Sequence, residues 1–132
     1  MTEQEFKAKS MELIKWMVDT IADKEYTKLN SSILPKLSWA SFHDAEPTPE
    51  NACLGFGEWL DGQLAMWEED EDKKFVVDHF NASCLDGAEL EKDNTSFVLY
   101  HPTSFGETLD FWFEINFEIK GEHISAVFDV NM

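Results

Sequence analysis

Arginine is missing from this chain of 132 residues; its ten basic side chains are all lysines, set against 27 aspartates and glutamates for a net charge of −17. The guanidinium fork that grips phosphates and base edges is therefore unavailable, and phosphate backbones are repelled by such a surface. Nucleic acid is excluded as the expected partner. Long apolar runs are lacking too: charge interrupts every hydrophobic stretch well short of the roughly 20 residues of a membrane span. The first ten residues have neither the basic region nor the apolar core of a secretory signal, so the expected location is the cytoplasm. Cysteine is scarce. Cys53 and Cys84 fit no metal-binding spacing and read as small core hydrophobes. The Asn-x-Ser triplets at Asn30, Asn81 and Asn94 then read as chance matches. No phosphate-cradling glycine loop or nucleophile elbow occurs, and the four histidines form no metal-ligand pair. Neither a metal nor a cofactor is expected.

What the chain does have is apolar residues, 43% of the total, with 14% aromatic, enough to fill one core without disulfides or metal. A single domain spanning residues 1–132 is expected. Thr2 three residues before Glu5 is a capping box, and Phe6, Ser10, Leu13, Ile14, Met17 and Ile21 recur at helical spacing. Asp23 is placed to cap a shorter helix burying Tyr26, Leu29 and Ile33, which Pro35 ends. Residues 36–43 alternate as a short strand. Thr48-Pro49 then starts a helix with Cys53, Phe56, Leu60, Leu64 and Trp67 on one stripe and Trp59 beside it. Gly55, Gly57 and Gly62 each cost such a helix about 1 kcal/mol, so a hairpin turning at Asp61-Gly62 competes with it. The acidic run Glu68–Asp72 reads as a solvated loop or a fraying helix end.

Beyond Lys74 the period becomes two. Phe75, Val77 and His79 oppose Val76, Asp78 and Phe80; a turn region follows; then Phe97, Leu99 and His101 oppose Val98 and Tyr100. From Leu109 to Ile119 every odd position is apolar, which means a strand with one face in a core. A turn at Lys120-Gly121-Glu122 leads into a last strand from His123 to Val130. The class is α+β, helices first and an antiparallel sheet second.

Three segments resemble the nuclear transport factor 2-like superfamily, its SnoaL-like branch in particular. They are Asp23-Lys-Glu-Tyr-Thr-Lys-Leu29 after the first helix, the helix ending near Trp67 that leads into Phe75-Val-Val-Asp-His, and the closing hairpin Phe117–Ser125 with Phe128-Asp129. The resemblance covers essentially the whole chain, with degenerate motifs. It implies a strongly curved antiparallel sheet wrapped around the N-terminal helices as a cone, open at one end to a pocket. It also implies a homodimer through the outer sheet face. Members range from isomerases, dehydratases and cyclases to noncatalytic binding modules, so the fold names no function.

Within an apolar cone, acid–base chemistry needs a histidine or carboxylate with its titration shifted by burial. If Phe75, Val77, Phe97, Leu99, Phe111 and Phe113 face inward, His79 and His101 do as well, near Trp39, Trp59 and Trp67. Phe97, Phe111 and Phe113, with the three tryptophans, would line a site for a small apolar organic ligand. Asp78 points away from His79 unless a bulge intervenes. Asp129 shares a face with His123, Ser125 and Val127, opposite Ile124, Ala126 and Phe128, and matches the family's terminal aspartate. His43 leaves the first strand toward the pocket rim. Core histidines are more often structural than catalytic, so whether the chain is an enzyme stays open. Trp112 among Asp110, Glu114, Asn116 and Glu118 suits an interface anchor.

Two functions are expected on these grounds. One is a small-molecule-binding protein, with cofactor-independent isomerase, dehydratase or cyclase chemistry as its catalytic form. The other is a noncatalytic acidic module, immunity-type or regulatory, that binds a basic protein.

Overall fold

The computed structural model describes residues 1–30, 33–35, 49–66, 75–86, 90–91 and 96–131. Helix α1 (Glu3–Ala22) starts as the capping box predicts, the Glu5 amide donating to the Thr2 hydroxyl at 3.1 Å. Its buried stripe is Phe6, Ser10, Ile14, Met17, Val18 and Ile21, with Leu13 only half-buried at the flank. Asp23 closes this helix rather than opening another. Lys24 takes φ 59°, and the amides of Lys24 and Glu25 donate to Ile21 O and Thr20 O, a Schellman end made without glycine. Tyr26–Asn30 is a single 3₁₀ turn that buries Leu29.

Helix α2 (Pro49–Met66) settles the choice between helix and hairpin. Its glycines include one that is required: a Cβ on Gly57 would collide with the Tyr26 ring. That close approach seats the 3₁₀ turn on α2, and the Tyr26 hydroxyl donates to Asp61 one turn on at 2.8 Å. Burial first, then Asp61, pushes the Tyr26 phenol well above its ordinary value.

The strands are β1 (Ile33–Pro35), β2 (Leu85–Asp86), β3 (Phe97–Tyr100), β4 (Thr103–Ser104), β5 (Glu107–Thr108), β6 (Trp112–Lys120) and β7 (His123–Asn131). The main sheet runs β1-β7-β6-β3-β2, and β4 and β5 form a separate hairpin. The sheet is not antiparallel throughout, because β1 pairs with β7 in parallel. Pro35 therefore lies in an edge strand, where a missing amide is tolerated. Among the described residues the sheet stays open between its edges β1 and β2. Residues 75–80 alternate in burial only loosely and form no strand. The strand expected over 36–43 falls outside the described residues.

One face of the sheet is the core. Phe113, Ile115 and Phe117 of β6 and Ile124, Ala126, Phe128 and Val130 of β7 are buried, as the alternation predicts. The helices pack there, with Phe6 meeting Phe117 edge-on at 5.8 Å and Phe56 meeting Phe128 and Phe113 at 5.1 and 6.1 Å. Edge-to-face aromatic pairs of this kind add to the apolar area they bury.

Strand β3 reverses the expected phase. Val98 and Tyr100 face the core, opposite Ile115 and Phe113, whereas Phe97 and Leu99 stand over Asn116 and Glu114. Directly paired residues share a face, so β6 imposes its register on a strand apolar on both sides. Phe97 is consequently 39% exposed.

Candidate functional site

The two histidines singled out by the sequence do come together, but at the surface. His79 and His101 line one hollow of about 470 Å³ with Asp78, Asn81, Ser83, Cys84, Asp86 and Thr103. The hollow is lined mainly by polar side chains.

His79 follows Val77, which points into the core, yet its own side chain is 64% exposed because the segment is not a regular strand. Its Nε2 donates to Asp23 Oδ1 at 2.9 Å. The segment is pinned by α1 and β3: the Phe80 amide donates to Asp19 at 2.8 Å and the Asn81 amide to the Tyr100 hydroxyl at 3.0 Å. Burial, partly offset by the Asn81 amide, pushes the Tyr100 phenol up to about 12.

His101 leaves β3 on its outer side, with its amide bonded to Cys84 O and its ring tilted against Trp112 at 6.3 Å. Its Nε2 is shielded from water and makes no hydrogen bond, although an Asp86 oxygen lies 3.4 Å away. That distance is within ion-pair reach only.

Asp78 faces the β4–β5 hairpin. Its carboxylate accepts from Thr103 Oγ1 at 2.7 Å, Gly106 N at 2.9 Å and Phe105 N at 3.0 Å. Burial works to raise this carboxyl, but the bonds from Gly106, Thr103 and Phe105, with His79 nearby, hold it below its ordinary value. Its oxygens are committed to the hairpin.

The remaining candidates are dispersed. Phe111 and Phe113 are fully buried, and Trp59 meets Phe111 at 6.1 Å, so all three pack within or against the core cluster. Asp129 lies on the outer sheet face, opposite Glu114 in register. Trp39, His43 and Trp67 fall outside the described residues. Cys53 is buried and free, and burial pushes its thiol up to about 11, the mark of an unreactive core cysteine. No three histidines, cysteines or carboxylates among the described residues are placed to hold a metal ion. No described helix is long and apolar enough to cross a membrane.

The outer sheet face is the second feature. Leu99, Trp112 and Val127 are half-buried there, among the carboxylates of Asp86, Glu114, Glu118 and Asp129. Lys120 is its one lysine among the described residues and sits at the hairpin end. The hollow borders this face, since Asp86 and His101 belong to both.

Sequence reasoning overlooked Phe105. It stands 78% exposed on the hairpin tip, at φ 50°. A bulky residue before glycine in a two-residue turn, where asparagine is usual, was the available signal.

Comparison of the chain with protein-family models, curated proteins and solved structures returns no match.

Proposed function

We propose that this chain is a noncatalytic interaction module whose acidic outer sheet face binds a basic protein. The observation that carries the reading is the composition of that face: half-exposed Leu99, Trp112 and Val127 set among four carboxylates, with both helices on the other side. Aromatic and aliphatic centres supply interface energy, while the net charge of −17 steers a cationic partner into place. A homodimer through this face would set its carboxylates against their own copies, so the occupant is a different chain. The order of helix, 3₁₀ turn, strand, helix and closing hairpin supports the nuclear transport factor 2-like reading, whose members include noncatalytic modules. The small-molecule reading draws support from the shared hollow of His79 and His101. It is the weaker one, because that hollow is polar and Asp78 is fully engaged in its wall.

The test is a photo-cross-linking residue at Trp112, compared with one at Lys9 on α1, in the native cell. Position 112 should yield basic proteins, whose binding once purified should fall at about 0.5 M salt, where screening shortens to a few ångströms. It should also fall in the Glu114→Lys/Glu118→Lys variant. Acidic products, or the same products from both positions, count against the reading.

A further inference from the structure

Phe105 has the most exposed large apolar side chain among the described residues. Its backbone adds a second peculiarity. Phe105 and Gly106 take φ of 50° and 83°, consecutive left-handed positions joining β4 to β5. Asparagine before glycine meets that demand freely; a phenylalanine is strained there and buries little in return. The strained tip is nonetheless held by hydrogen bonds. Asp78 accepts from both tip amides and from Thr103, the Asp78 amide returns a bond to Thr103 O at 2.8 Å, and Val76 N donates to Ser104 Oγ at 3.0 Å. The ring of this strained residue, which its surroundings over-determine, is held in solvent and adds nothing to the fold, so its use lies in a second molecule.

The neighbourhood says which kind. Glu107 and Asp110 are exposed beside the tip, and between Lys92 and Lys120 the chain has no lysine. The hollow adjoins the hairpin through Gly106 and Thr108 and carries the exposed Asp86 carboxylate and the unbonded His101 Nε2. We infer that Phe105 anchors a protein interface: its ring enters an apolar cleft on a basic partner, and an arginine from the rim of that cleft seats in the hollow against Asp86. A guanidinium suits the place, because it pairs with a carboxylate through two parallel bonds and stacks on a ring such as His101. This inference rests on the reading of the chain as a module for a basic protein, and it extends the contact from the outer face across the hollow to the hairpin. An anionic bilayer, the other destination for an exposed aromatic tip, is repelled by these carboxylates.

The test replaces Phe105 by a photo-cross-linking phenylalanine analogue in the native cell, identifies the product, and measures its affinity once purified. Phe105→Asn should weaken binding about thirtyfold, as expected of an interface anchor. The same variant should raise the thermal midpoint by a few degrees, on the order of the 4 °C that relief of such strain brings. Asp86→Asn should cost about tenfold, and Glu12→Gln on α1 nothing. No product at position 105, or a partner that binds Phe105→Asn as tightly as the wild type, overturns the inference. So does sedimentation of the wild type, but not of Phe105→Asn, with phosphatidylserine vesicles. If Glu114→Lys abolishes binding while Phe105→Asn leaves it intact, the anchor alone is wrong. If neither variant weakens binding, the acidic-module reading falls with it.

Discussion

Asp78 and Phe105 are joined by a hydrogen bond of 3.0 Å from the Phe105 amide to Asp78 Oδ1, across 27 residues of sequence. With the bonds to Gly106 and Thr103, this makes one carboxylate the fastener of the hairpin. Asp78→Asn keeps one acceptor oxygen and loses the other. Charge-assisted bonds open to solvent contribute modestly, so the expected loss is about 1–2 kcal/mol. The sign of the pH dependence follows from the lowered carboxyl. Its stabilisation is complete above the ordinary value of 3.8 and is lost as pH falls through the lower folded value. Urea denaturation at neutral pH should separate wild type from variant, and the gap should narrow as pH falls below 3.8. A gap that persists in acid means that the charge is not what fastens the turn.

Two glycines of α2 should respond in opposite directions to alanine. Nothing lies within 4 Å of a Cβ on Gly62, so Gly62→Ala gains helix propensity and stabilises by about 1 kcal/mol. At Gly57 the same substitution drives a methyl into the Tyr26 ring, which is held by Asp61 and packed edge-on against Phe56 at 6.0 Å. Overpacking of this kind costs about 1–3 kcal/mol and outweighs the propensity gain. Thermal denaturation of both variants checks the pair. Equal stabilisation would mean that Tyr26 gives way freely.

These glycines also mark what was legible in the sequence. Strands β6 and β7 were readable because strict alternation fixes both existence and phase, and Phe113, Phe117 and Phe128 are buried accordingly. Helix α1 was readable from its cap and stripe. Strand β3 was visible but its phase was not, since Phe-Val-Leu-Tyr is apolar on both faces and only pairing with Ile115 and Phe113 decides it. That one reversal carries His101 away from the core. His79 was misplaced for another reason: alternation in residues 75–80 suggested a strand, whereas the amides of Val76 and Phe80 bond to Ser104 Oγ and Asp19, that of Asn81 bonds to the Tyr100 hydroxyl, and the single backbone bond from Asp78 to Thr103 O makes no ladder. The parallel pairing of β1 is a tertiary choice that no local pattern encodes.

The end of α1 is a place where the chain departs from the residue its geometry favours. Lys24 holds φ 59°, the position that Schellman ends give to glycine. A side chain there costs roughly 1–2 kcal/mol. Lys24→Gly should therefore stabilise the protein by about 1 kcal/mol, net of the freedom glycine adds to the unfolded chain. Lys24→Ala removes the same charge but keeps the strain, and it should not reproduce the gain. Urea midpoints of the two variants separate backbone from charge; equal midpoints would place the effect in the charge.

Self-association is decided by the same face that the proposed function uses. A two-fold axis over β6 would lay Glu114, Glu118 and Asp129 against the partner copy's own acidic patch. Each chain adds its net charge of −17 to that repulsion, which reaches about 10 Å at 0.1 M salt. Burial of Leu99, Trp112 and Val127 pulls the other way, as it would against any partner, but in a self-pair no opposite charge assists it. Repulsion is expected to win at low ionic strength. Sedimentation equilibrium should find a monomer at about 0.1 M salt, with Trp112→Glu sedimenting identically. A dimer at low salt that Trp112→Glu dissolves would reassign the face to a second copy of the chain and remove the main argument for a basic partner.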